Sequence, residues 1–251
     1  MNILKALEKM KMKNKTIWVI IMCSFLFLGC IKYISPVDMN PIGTKYIGTI
    51  NLRGMDLPLP KGEWEVVGRS FYKNHKFVQI ILEKDVGNKP DTIISINRDT
   101  RNNSYSGYSP SRTLKRTNML YVVSNNNKNQ EAQDGWYINH IRYASPGKKA
   151  SDANKEAFQH IINNKLAMPG NFLKIKHRFT GSGNSKKFLT YTIYLNPEVH
   201  GFSPPTNSEW ASSDWNILKI NNDPEKVVFI EKIKHEQAKY HNSLRNAFNV
   251  R

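Results

Sequence analysis

Seven histidines, His75, His140, His160, His177, His200, His235 and His241, are the residues here whose side chains could bind a metal or move protons. His235-Glu236 opens like the HExxH zinc motif, but the next histidine is His241, six residues on and about 240° further round a helix, so one helix face cannot present both. No other pair stands at metal-ligand spacing, and neither a metal nor a cofactor is expected. Gly181-Ser182-Gly183-Asn184-Ser185-Lys186 is glycine-rich but lacks the GxxxxGK[ST] spacing and leads toward a strand, with no helix N-terminus to receive a phosphate. It reads as a hairpin turn. GxSxG, the strained turn that presents a nucleophilic serine, is absent. Ser109 lies in a serine-rich loop, and a hydrolase would need His140 and a carboxylate brought beside it by folding. Four aromatic residues in polar surroundings, Trp136, Tyr137, Trp210 and Trp215, are candidates to face a ligand, since exposed rings stack on sugars and other ligand faces. Such tryptophans also anchor long loops to a core, and both roles remain open.

Positioning these residues falls to a series of short strands. Tyr46–Leu52, Trp64–Phe71, Phe77–Leu82, Thr92–Ile96, Leu120–Val123 and Gly135–Tyr143 are apolar or alternating runs bounded by turn residues, and their close spacing favours an antiparallel meander. Residues 99–118 are polar and turn-rich and read as a long loop. A helix begins near Ser151 or Asp152, either of which can cap it, and Pro169-Gly170 ends it. Phe172–Phe179 and Phe188–Leu195 alternate on both sides of the glycine-rich turn, which predicts a hairpin. In the last segment Asp223 caps, Pro224 suits the first helical position, and Val227, Ile230, Ile233, Gln237, Tyr240, Leu244 and Phe248 step by three or four along one face. The pattern predicts an α+β fold, a mostly antiparallel sheet packed by two helices, the longer one C-terminal.

The N-terminus concerns address. Five lysines and one glutamate occupy the first fifteen residues, and the apolar run Ile17–Gly29 follows. Its length gives about 20 Å of helix against the roughly 30 Å that a bilayer core requires, which suits a secretory signal rather than a span. Leu26-Phe27-Leu28-Gly29-Cys30 resembles the lipobox of bacterial lipoproteins, with Phe27 where that family prefers leucine. The resemblance implies cleavage between Gly29 and Cys30, a lipid on the Cys30 thiol, and a membrane anchor. Under that family's sorting rule Ile31 in place of aspartate directs the protein outward, to the outer membrane. Cysteine usage agrees: the chain has two, and Cys23 lies inside the run that cleavage would discard, leaving one thiol that cannot form an internal disulfide. The organisation expected is a signal peptide at 1–29, a tether at 30–43 and a single periplasmic domain at 44–251. An uncleaved inner-membrane signal anchor is the alternative. Leu59-Pro60-Lys61-Gly62-Glu63-Trp64, together with Trp210 and Trp215, resembles segments of uncharacterised exported proteins of Gram-negative bacteria, and the resemblance implies no activity.

Removing the five lysines and one glutamate of the signal from 37 basic and 20 acidic residues leaves 32 and 19, a net charge of +13. Such a surface attracts anionic envelope components by long-range fields, while export argues against nucleic acid. The even spread of Asn, Lys and Ile equally fits the bias of an AT-rich genome. The function expected is a membrane-tethered envelope lipoprotein of binding or structural role, with anionic envelope components or another envelope protein as partners. An envelope hydrolase acting on cell-wall or lipid substrates is the alternative.

Overall fold

The computed structural model describes residues 40–72, 77–99, 119–125, 133–142, 145–180, 188–205 and 213–249. The chain divides into two units, Met1–Ser35 and Pro36–Arg251, and every described residue belongs to the second. Pro36–Arg251 has its own extensive core, the property of a segment that folds alone.

Eight strands form one antiparallel sheet: β1 (Lys45–Leu52), β2 (Met55–Tyr72), β3 (Phe77–Val86), β4 (Lys89–Asp99), β5 (Met119–Asn125), β6 (Gln133–Arg142), β7 (Asn171–Thr180) and β8 (Phe188–Leu195). Their order is β1-β2-β3-β4-β8-β7-β6-β5. β1 and β2 meet at Arg53 and Gly54, whose φ values of 55° and 74° give the left-handed backbone of a two-residue hairpin turn. The buried Arg98 guanidinium donates to the carbonyls of Leu52 and Arg53 and ties this turn to β4.

β2 starts nine residues before the expected strand and runs through Pro58 and Pro60. A proline cannot donate to a ladder, and the pairing with β1 accordingly breaks register, with Thr49 opposite Pro58 but Ile47 opposite Glu63. The carbonyls there find other partners: Trp64 Nε1 donates to Pro60 O at 2.8 Å, and Tyr240 Oη donates to Pro58 O.

The sheet buries apolar side chains on both faces. On the first, Trp64, Val66, Ile80, Leu82, Ile94, Ile96, Ile138, Ile175 and Tyr191 form the main core. The long helix α3 (Pro224–Asn249) brings Ile230, Ile233, Leu244 and Phe248 into it, the face expected from its three-to-four-residue spacing. Asp223 caps α3, accepting from Lys226 N at 3.1 Å. A short helix, α2 (Ile217–Ile220), and a 3-10 turn at Pro197–His200 precede it. On the opposite face lies α1 (Asp152–Asn163), capped by Ser151 and packed through Ala153 and Ala157 onto Val67 and Ile81. The architecture is therefore α+β, with the longest helix C-terminal. Among the described residues no helix is long and apolar enough to cross a membrane.

Candidate ligand-binding cleft

Where α1 sits is decided by a missing side chain. A Cβ on Gly68 of β2 would lie 2.2 Å from the Ala153 carbonyl oxygen and 3.1 Å from Ala157 N, so only glycine lets the helix backbone approach this closely. Arg69 N donates to Glu156 Oε2 at 2.8 Å, and Ala167 N to Asn88 O at 2.8 Å, fixing the helix and the chain beyond it. Held by its small side on β2, α1 leaves its larger residues Phe158 and Ile161 to line a gap. Between them and the sheet is a cleft of about 310 Å³, lined by Ile81, Ile93, Ile141, Phe172, Tyr194, Ala157, Phe158, Ile161 and Met168, with Ser95, Asn154 and Arg142 as polar members. That volume is at the lower end of the roughly 300–1,000 Å³ typical of small-molecule sites.

Strand registers extend this floor into a polar strip. Asn139, Lys174, Tyr194 and Ile93 form one cross-strand row; Tyr137, Lys176, Thr192 and Ser95 the next; Gly135, Arg178, Thr190 and Asn97 the third. β7 thus sets three cations, Lys174, Lys176 and Arg178, on the face that holds the cleft, alternating as strand geometry requires. Lys174 Nζ is 5.8 Å from the centre of the Tyr194 ring, itself part of the cleft wall. Burial pushes the Lys176 ammonium down to about 8, and the neighbouring charges of Lys174 and Arg178 push the same way. Thr190 Oγ1 and Asn139 Oδ1 are buried on this face without a hydrogen-bond partner.

The first face holds a different cluster. His177 Nδ1 lies 3.0 Å from His241 Nδ1, His177 Nε2 is 3.0 Å from Gln237 Oε1, and His241 Nε2 and Arg245 Nε both donate to Asp134. The His177 ring stacks between Trp136 and His241, and His241 stacks on Phe179. Burial first, then the neighbouring His241, lowers His177 to about 3, so it is held neutral. Burial opposes ionisation of Asp134, but hydrogen bonds from His241 and Arg245 outweigh it and keep its carboxyl below the usual range. These rings line neither the cleft under α1 nor the smaller one under α3, and their mutual hydrogen bonds make the cluster a polar brace between β6, β7 and α3.

A smaller cleft of about 190 Å³ lies under α3 near Lys84, Asp91, His200 and Gln237. Its buried carboxylate is paired: Asp91 takes Lys84 Nζ at 2.5 Å and His200 Nε2 at 3.4 Å, contacts that hold its carboxyl low despite burial.

The residues singled out in the sequence are scattered. Trp136 is buried against Tyr121 and His177, and Trp215 against Phe202 and Phe229, and both belong to the main core. Tyr137 is half-buried and lies on the cleft face, opposite Lys176. His140 is buried with Ser213 Oγ 3.4 Å from its Nε2, and burial lowers it to about 4. It lines neither cleft. Gly29, Cys30, Ser109 and Trp210 lie outside the described residues. Among those described, no group of three potential ligands could hold a metal.

The cleft and the basic strip were not foreseen. Lys174, Lys176 and Arg178 do alternate in the sequence, a sign of one shared strand face, but nothing local says that Phe172 and Tyr194 continue it into an apolar floor. No family model, curated protein or solved structure matches the chain.

Proposed function

We propose that this protein is an exported, membrane-tethered lipoprotein of the bacterial envelope whose domain binds a ligand with an apolar chain. The cleft between α1 and the sheet carries the binding half of the reading: predominantly apolar side chains line about 310 Å³ on a face otherwise rich in polar groups. The tether half rests on the basic start, the short apolar run and Gly29-Cys30. In this reading two helices cover the sheet, α3 closing the main core and α1 forming the cleft wall, and the outer membrane is the destination.

Two measurements test it. Cells given labelled fatty acid should incorporate label into the wild-type chain and not into Cys30→Ser, and the labelled protein should have lost residues 1–29 by intact mass. A wild type without label that keeps those residues would replace the tether with a signal anchor. Calorimetric titration of Pro36–Arg251 with straight-chain alcohols below their solubility limit should show binding that tightens about fourfold per added methylene until the cleft is full. An affinity indifferent to chain length would remove the apolar-chain reading.

A further inference from the structure

Building on that cleft reading, we infer that the bound ligand is an anionic amphiphile: one apolar chain lies in the cleft and its carboxylate or phosphate head rests on the β7 strip at Lys174 and Lys176. Apolar lining alone would accept any chain, so the head must be read from what borders the lining. Tyr194 forms part of the cleft wall and pairs directly with Lys174, and Phe172, also in the wall, precedes Lys174 by two residues on the same face. One row further, Lys176 pairs with Thr192, whose other neighbour is Ser95 of the cleft floor. Adjacent strands lie about 4.8 Å apart, which places Lys176 about two strand spacings from Ser95.

Lys176 is the decisive group. Its cross-strand neighbours Tyr137 and Thr192 bear no formal charge, and among the described residues the charges that act on it are the cations Lys174 and Arg178. Its ammonium is thus largely buried beside like charges. An arrangement of this kind costs stability unless an anion completes it. Thr190 Oγ1, buried in the next row with no acceptor, supplies a second donor of the kind a carboxylate or phosphate oxygen takes. The other candidate for a charged ligand, the smaller cleft at Asp91, differs in this respect, since Lys84 and His200 already pair with its carboxylate.

The test is calorimetric titration of Pro36–Arg251, wild type and Lys176→Gln, with decanoate, decyl phosphate, 1-decanol and inorganic phosphate, all below micelle-forming concentrations. Wild type is expected to bind at least one of the two decyl anions about tenfold or more tighter than decanol, as charge-assisted hydrogen bonds allow. Whichever anion is tighter identifies the head. Lys176→Gln should bring that anion down to the affinity of decanol and leave decanol unchanged. Because the substitution removes a buried cation, the variant should unfold in urea no earlier than wild type, which separates lost recognition from lost folding. Equal binding of the anions and decanol, or a preference that survives Lys176→Gln, would overturn the inference while leaving the cleft reading in place. Inorganic phosphate binding as tightly as decyl phosphate would also overturn it, because the strip would then act without the cleft. Failure of decanol and both decyl anions to bind would sink the cleft reading itself.

Discussion

At pH 8, Glu83→Gln is expected to be more stable than wild type by about 4 kcal/mol, and at pH 4 the two proteins should unfold at the same urea concentration. Glu83 is buried, neither of its carboxylate oxygens has a hydrogen bond, and burial, with Asp85 and Glu65 nearby, pushes it up to about 8. His160 Nε2 is 3.4 Å from Oε2 and does not offset this. A carboxyl whose folded value is raised favours folding only while it is protonated in both states. Stability is therefore fully present below the ordinary glutamate value and is lost as pH rises toward 8. Glutamine keeps the shape and cannot ionise, so the variant escapes that loss. Two buried histidines act in the other direction. His177, at about 3, and His140, at about 4, must stay neutral, so both proteins should weaken as pH falls below about 6.5. In wild type the opposing trends overlap between about pH 4.5 and 6.5; in Glu83→Gln only the histidine decline remains. Urea unfolding across this range reads the difference directly. Equal midpoints at pH 8 would mean that Glu83 ionises at no cost.

Gly68→Ala is expected to cost about 2–4 kcal/mol and to abolish ligand binding in the cleft. The added methyl would meet the Ala153 carbonyl and the Ala157 amide, both backbone atoms of α1, and no side-chain rotation relieves a clash with backbone. α1 must lift. Ala153 and Ala157 on Val67 and Ile81, and the Arg69 N–Glu156 hydrogen bond, all sit at this one seat, so a small displacement loosens them together. The main core under α3 is a separate cluster and should keep its structure, so the loss of binding should exceed the loss of sheet signal by circular dichroism. Wild-type stability with intact binding would show that the helix is not seated on Gly68.

Elements governed by local pattern were legible. α3 announced itself through Asp223, Pro224 and its apolar spacing, and the β7–β8 hairpin through alternation on both arms. Ser151 capped α1 as its type allows. What escaped depends on residues far apart. Pro58 and Pro60 argued against a strand until a register break with β1 accommodated them and tyrosines from β8 and α3 reached the Pro58 carbonyl. His177 and His241 are 64 residues apart, so no spacing rule pairs them. Their positions did hold a clue: His177 falls between Ile175 and Phe179 on an inward face, and His241 sits between Gln237 and Leu244 on the buried side of α3. A polar ring on an apolar face calls for a polar partner. The cleft was the least legible feature, because its walls come from β3, β4, β6, β7, β8 and α1, and Gly68, which places α1, is not in its lining.

The strand order gives that distribution a consequence in time. β1 to β4 and β5 to β8 are two four-strand meanders, each zipped by neighbours in sequence, and they meet only where β4 pairs with β8. The join brings together residues 92–99 and 188–195, the longest chain closure in the sheet and therefore the slowest pairing to nucleate. Ile93 and Ser95 stand on one side of it and Tyr194 on the other, while α1 leaves the second meander to rest on β2 of the first. Neither half can own the cleft, so an amphiphile would meet a finished binding surface only after the final seam has closed, and ligand occupancy would report completed folding rather than guide it.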